Sequence, residues 1–378
     1  MRFTNTICLI LCALLCLLLG ACTSLPENYP RTSSYKLDAS DSALAIAFEP
    51  AIAAHPGQSG AYPLSRGVEA LAARVALARA AQVSLDVQYY IWHGDAAGRL
   101  LLSELLDAAD RGVRVRLLLD DLGVGARDDN IFLLLDAHPS LSVALFNPIA
   151  TRGARTIGLL QDPLRLNNRM HNKSMTADST LTVVGGRNVG NEYFALNDAF
   201  NFADLDVLAG GVVASDVSDS FDLYWNSQAS VPISAFHAQE ATRAQLEQAR
   251  QALNAHVQDA AVPYYAAMQE TPLIQQVLAG NVTFYWGQIT ALNDAPQKSL
   301  GDTEAVRLLQ QLRDAVGQVE SDLLIISPYF VPGKQATAKL VAAAQRGVRV
   351  RIATNSLAAT DVGAVHAGYK KYRRTPLE

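Results

Sequence analysis

An α/β fold built from two lobes of one plan is what this sequence predicts, on three observations. Apolar runs rich in Val, Leu and Ile alternate with Ala- and Leu-rich stretches of helical spacing, the pattern of a layered domain around a largely parallel sheet. The hexapeptide Arg111-Gly112-Val113-Arg114-Val115-Arg116 returns letter for letter as Arg346-Gly347-Val348-Arg349-Val350-Arg351. The flanks agree too: Asp322 to Phe330 replays Leu85 to Ile91, and Lys334 to Gln345 replays Gly98 to Asp110. At 378 residues, half of them apolar, the chain can hold two ordinary domains. A net charge of −5 argues against a nucleic-acid binder that relies on a general basic surface.

In chain order, Arg2 and the apolar run Ile7 to Leu19 have the form of a targeting segment, too short to span a bilayer comfortably. It ends Leu19-Gly20-Ala21-Cys22, which resembles a bacterial lipobox. That resemblance implies a signal peptide over residues 1–21 and a lipid on Cys22; an ordinary secretory signal or a short anchor is the alternative. All four cysteines (Cys8, Cys12, Cys16, Cys22) lie here, leaving neither a disulfide framework nor a thiolate metal site. Thr23 resembles the residue after the cysteine in lipoproteins sorted to the outer membrane. Residues 22–60, rich in Ser, Pro and Ala, read as a tether with one short helix, Ser42 to Phe48.

Residues 61–235 read as a first lobe. Its expected elements are a helix over Val68 to Ala81, a strand over Val83 to Trp92 and a helix over Gly98 to Asp110. A strand over Val113 to Asp120, a helix over Asn130 to Ala137 and a strand over Leu141 to Phe146 follow. Tyr89, Tyr90 and Trp92 either line a groove or, as is commoner for aromatics on a buried strand, fill the core. The loop before the key strand carries Arg152, Arg155, Arg165 and Arg169, either a phosphate-facing cluster or solvated side chains. Asn201 to Leu208 reads as a further strand. Residues 236–300 form a connecting region with a polar, exposed helix over Ala238 to Val257, and residues 301–378 begin a second lobe.

The chemistry sits in Met170-His171-Asn172-Lys173-Ser174-Met175-Thr176-Ala177-Asp178 and the following Leu181 to Asn188. Alternation along a strand puts His171 and Lys173 on one face. An imidazole beside an ammonium suits a phosphate: the lysine neutralises non-bridging oxygens, and the imidazole attacks phosphorus or moves a proton. Gly185 and Gly186 would let the backbone approach a ligand, and Asn188 would offer amide donors to the same oxygens.

The whole string, H-x-K-x4-D-x6-G-G-x-N, resembles the signature of the phospholipase D superfamily. The stretches Gln88 to His93, Ala109 to Asp121, Arg169 to Ser174, Ser327 to Gly333 and Thr354 to Asp361 look like its cardiolipin synthase C branch. The resemblance covers residues 66–374 and implies duplicated α/β/α lobes, the first complete and the second incomplete. About 235 residues separate the repeats, placing a second H-x-K near position 406, past the last residue of this sequence. By the resemblance, one histidine attacks the phosphodiester and becomes a phosphohistidine while another protonates the leaving alcohol, without metal or cofactor. The implied catalytic set is His171, Lys173, Asp178, Asn188 and Asp204, with Asp206 as second choice to Asp204 for orienting the histidine. Asp178 is expected chiefly to brace the strand turn. Gly185, Gly186 and Arg169 are the expected substrate contacts. The expected substrates are phosphatidylglycerol and a second phospholipid, phosphatidylglycerol or phosphatidylethanolamine, met at the periplasmic side of the cell envelope. Three readings stay open: a phosphatidyltransferase of incomplete sequence, a single-signature homodimeric phosphodiesterase such as a nuclease, and a non-catalytic lipoprotein remnant.

Overall fold

The computed structural model describes residues 25–373 except 28, 126–128, 153, 154, 156, 157, 159–161, 196, 198, 238, 240, 303–306, 318, 361 and 362. The expected signal peptide and Cys22 lie outside the described residues. The described residues fall into two compact units, those within 1–291 and 295–305 and those within 292–294 and 306–378.

The first unit is organised by a nine-stranded sheet among the described residues. Its strands are β1 (Ser59–Leu64), β2 (Ser84–Tyr89), β3 (Arg114–Asp120), β4 (Leu141–Phe146), β5 (Ser174–Ala177), β6 (Leu181–Gly185), β7 (Asp206–Gly211), β8 (Ser230–Pro232) and β9 (Tyr285–Gly287), in the spatial order β8-β4-β3-β2-β5-β6-β7-β1-β9. Only β2, β3 and β4 run parallel. The expectation of a largely parallel sheet is corrected by the chain between β5 and β6. That turn is three residues long, Asp178 to Thr180, too short for the crossover that parallel strands need. Asp178 and Ser179 adopt φ of 51° and 50° to close it.

One face of the sheet carries α1 (Ala43–Ala53), α2 (Gly67–Ala80) and α3 (Ala96–Asp110), joined by α4 (Asp129–Asp136) and, after the short α5 (Pro163–Leu166), by later helices. The helix α6 (Val212–Trp225) lies against β2, β5, β6 and β7. Ten of the fourteen residues of α2 are buried, because its Ala-rich surface fits against α3 and the sheet. The connecting region, apart from residues 292–294, belongs to this unit. Its helix α7 (Arg243–Ala260) is not exposed all round: Leu246, Ala249, Leu253 and Val257 recur every three to four residues and are buried, on a face packed against α3. The stretch read as a tether is also corrected. Leu44 and Phe48 of α1 are 3% and 1% exposed in the main core, and residues 31–36 are hydrogen-bonded to the body.

The second unit holds β10 (Asp322–Ile326) and β11 (Arg349–Ala353) as a parallel pair. Its register repeats the first unit: Asp322 faces Arg349 as Ser84 faces Arg114. The shared Arg-Gly-Val string does the same work twice. Gly112 and Gly347 sit at φ 91° and 95°, a left-handed cap that a Cβ would strain. The next amide then reaches back to the helix end, Val113 N to Ala108 O at 3.2 Å and Val348 N to Ala343 O at 3.1 Å.

Candidate active site

The parallel strands end on one edge of the sheet, and β5, running antiparallel to β2, begins there. His171 therefore lies at the carboxyl edge of β2 and β3, where open α/β sheets place ligands. The strand starts only at Ser174, so His171 and Lys173 stand on its extended lead-in, one correction to the expected strand. They are still brought together. The His171 ring stacks on Tyr90 with centroids 4.2 Å apart and planes 27° from parallel. Lys173 Nζ lies 5.7 Å from the centroid of the same ring and donates to His171 O at 2.8 Å.

The backbone entering His171 is held by a buried carboxylate. Asp120, last residue of β3 and 0% exposed, accepts from Arg169 Nε and from Met170 N, each at 2.8 Å, and from Leu122 N at 3.0 Å. Burial pushes its pKa up to about 6, while Arg169 and the amides pull the other way.

The electrostatics favour a neutral imidazole beside an ammonium. Although His171 has exposed surface, the protein packed around it disfavours the imidazolium, and the Lys173 charge adds to that, so its pKa falls below the ordinary 6.5. A hydrogen bond with the Arg169 backbone works in the opposite sense, and Lys298 lowers the pKa further. Burial pushes Lys173 down to about 8 against the pull of Asp204, Asp206 and Asp120. Such a pair can present a neutral nucleophile next to a cation able to receive negative oxygens.

Comparison with known proteins gives this geometry a family. A family model described as "Cardiolipin synthase, PLD-like domain" matches residues 75–225. Cardiolipin synthase C of Escherichia coli K12 is 44% identical over 339 residues, covering 88% of this chain and 70% of that protein. The chain belongs to the cardiolipin synthase family of phospholipase D-like proteins. A Helicobacter pylori 26695 protein is 33% identical over 328 residues, and the chain spans 64% of its length. The crystal structure of phosphatidylserine synthase from Haemophilus influenzae Rd KW20 superposes with a TM-score of 0.55 at 16% identity, over 88% of this chain and 72% of that one, a likeness of fold.

Within this phospholipase D-like lobe, several expected site residues have other partners. Asp178 sits at the far end of β5 from His171, 2% exposed, with its carboxylate accepting the Gln82, Val83 and Ser84 amides at 3.1, 2.9 and 2.9 Å. It braces the turn, at the other end of β5 from the His171–Lys173 pair. The Arg169 guanidinium is taken up by Asp120 and by the carbonyls of Asn147 and Leu166. Asn188 is 6% exposed, accepts from Ile91 N at 3.1 Å and donates to Tyr193 Oη at 3.1 Å, so its amide links β6 to the segment after β2. Gly185 and Gly186 make room for carboxylates: an added Cβ would come within 2.1 Å of Asp206 Oδ1 and 2.2 Å of Asp204 Oδ1.

Of the two aspartates, Asp206 is locked in the core by Arg74 at 2.9 Å, and it accepts Arg187 N at 3.1 Å. Asp204 precedes β7, because that strand begins at Asp206, not at Asn201. Its pKa is raised, by burial first and then by Asp206. Among the described residues Asp204 accepts from its neighbour Leu205 N at 2.8 Å rather than from His171. The arginine cluster is likewise internally paired: Arg152 and Arg155 hold Asp121 and Asp129, and Arg165 holds Asp162 at 2.7 Å. Tyr89 and Trp92 are core residues, 0% and 1% exposed; only Tyr90 reaches the site.

Tyr90 as the platform under His171, Asp120 and Lys298 were not singled out from sequence. An aspartate ending a buried strand was the available signal for Asp120. For Lys298, over a hundred residues downstream, local sequence carries none.

His93, Asp95 and Glu192 bring ligand atoms within 4.8 Å of one another, but His93 Nδ1 already meets Glu192 Oε1 at 3.0 Å. Asp95 spends its oxygens on Gly98 N and Asn191 N. Among the described residues no helix is long and apolar enough to cross a membrane.

Proposed function

We propose that this chain carries the nucleophile-bearing lobe of a phosphatidyltransferase that makes cardiolipin from phosphatidylglycerol and a second phospholipid. The observation that carries the reading is the His171–Lys173 pair over Tyr90, in a chain 44% identical to cardiolipin synthase C of Escherichia coli K12. Neutral His171 attacks phosphorus, the phosphorus–oxygen bond to the departing glycerol breaks, and the phosphatidyl group rests on the imidazole. Lys173 neutralises the equatorial oxygens as charge builds. A proton donor, supplied in this reading by a second H-x-K, completes the leaving alcohol, and the hydroxyl of an acceptor lipid then takes the phosphatidyl group. A lipid on Cys22 would keep the lobe on the periplasmic surface of the outer membrane, with substrate at hand.

The test is transfer of labelled phosphatidyl groups between vesicle lipids, by this chain and by this chain continued with the remaining residues of the Escherichia coli relative. The continued protein is expected to be active and its His171→Ala form inactive. His55→Ala and His256→Ala should retain activity: His55 stacks on Trp286 of the edge strand β9, and His256 lies on α7. Turnover that survives His171→Ala would refute the reading.

A further inference from the structure

We propose that residues 29–36 are a fixed strap, and that they hold the His171 edge of the sheet close to the lipid surface on which the chain is anchored. The proposal rests on the anchor reading above and adds an orientation to it.

The strap follows α6 from its carboxyl end toward its start. Arg31 Nη2 donates to the carbonyls of Gln228 and Ser230 at 3.1 and 3.0 Å. Ser34 and Asn226 bond reciprocally, Ser34 N to Asn226 Oδ1 and Asn226 Nδ2 to Ser34 O, both at 2.9 Å. Lys36 N donates to Asp222 Oδ2 at 2.7 Å, and Lys36 Nζ meets Asp219 at 2.7 Å and Ser215 Oγ at 2.9 Å. Arg116, 1% exposed and clamped by Asp86 and Asp222, spends a further N–H on Ser34 O at 2.7 Å. These bonds are anchored to buried charges and a helix, so the strap is part of the folded body.

Its upstream end arrives at the site edge. Leu25, Pro26 and Glu27 line one cavity with Ala150 and Arg152. Arg152 pairs with Asp121, whose neighbour Asp120 holds the Met170 amide beside His171. From Cys22 to Leu25 the chain can span only about 10 Å even fully extended. A flexible tether over residues 22–60 would instead wander by roughly 35 Å and leave the body free to tumble. With the strap docked, a lipid on Cys22 brings the edge bearing Tyr90, Asp120 and His171 to the membrane and turns the opposite edge away. A transferase that draws a phospholipid headgroup from the bilayer needs that edge inward.

The native cysteines all lie within the first 22 residues, so one cysteine added to the body takes a probe uniquely once Cys22 is lipidated. Leu122→Cys probes the site edge, since Leu122 is 40% exposed next to Asp121. Pro139→Cys, exposed just before β4, probes the far edge. Each full-length lipidated variant is labelled with a fluorophore on vesicles of phosphatidylethanolamine and phosphatidylglycerol that carry a nitroxide-labelled lipid. Quenching at position 122 should exceed that at position 139 several-fold. Adding Arg31→Ala and Asn226→Ala should bring the two close to equal while vesicle binding persists. Equal quenching in the parent, with binding intact, overturns the strap proposal. Loss of vesicle binding in the parent itself overturns the anchor reading and the orientation with it. Hydrogen exchange separates the two in the soluble Cys22→Ser protein: the Ser34 and Lys36 amides should be protected, and exchange at free-chain rates would refute a docked strap.

Discussion

Asp120 and Arg169 form a buried pair, Asp120 Oδ1 2.8 Å from Arg169 Nε, and the other carboxylate oxygen of Asp120 accepts the Met170 amide. The pair fixes the backbone one residue before His171. Replacing either partner leaves the histidine in place but loosens its aim. Asp120→Asn and Arg169→Ala should each lower kcat about 10- to 100-fold. KM should change little, because neither side chain is free to touch substrate. A rise in KM at constant kcat, measured by vesicle-based transfer kinetics, would assign Arg169 to substrate binding instead.

The opposed needs of His171 and Lys173 predict a bell-shaped pH profile. His171 must be neutral to attack; its pKa is lowered, so it stays neutral below pH 6.5 and the acid limb falls on the acid side of that value. Lys173 must be charged, and with a pKa of about 8 it loses its proton as pH rises through 8. Lys173→Arg should move the alkaline limb upward by two units or more, since arginine stays protonated. The measurement is kcat/KM from pH 5 to 10, and an alkaline limb unmoved in Lys173→Arg would assign it to another group.

Tyr90 meets His171 through its ring face. Tyr90→Phe should therefore preserve activity within about 2-fold, since stacking at 4.2 Å survives. Tyr90→Ala opens the imidazole to water, which relieves its desolvation and raises its pKa toward 6.5. Nuclear magnetic resonance titration of His171 in the two variants should show an upward shift only in Tyr90→Ala.

Asp178 separates stability from chemistry. Removing its carboxylate strands the Gln82, Val83 and Ser84 amides in the interior, and Asp178→Ala should cost about 2–4 kcal/mol of folding stability. Activity per folded molecule should be unchanged. Denaturant unfolding together with active-site titration would expose a catalytic role if specific activity fell instead.

Much of this molecule was legible in the chain itself. Periodicity located β2, β3, β4 and the helices between them, because burial on a sheet or helix face imposes a repeat that a single segment displays. The repeated Arg-Gly-Val-Arg-Val-Arg string announced the second parallel pair, and the Gly112 and Gly347 caps explain why both copies keep the glycine. His171 and Lys173 were found because the string they open, H-x-K-x4-D-x6-G-G-x-N, is contiguous in the chain. Tertiary structure decided what depends on residues distant in sequence. That Asp120 takes Arg169, 49 positions away, was not visible to any local pattern. Nor was it visible that Gly185 and Gly186 yield space to Asp206 and Asp204, or that Asn226 captures Ser34. A strand's period reports which side chains are buried, while the choice of partner for each buried charge is made only when the strands pair and desolvation makes an unpaired charge costly.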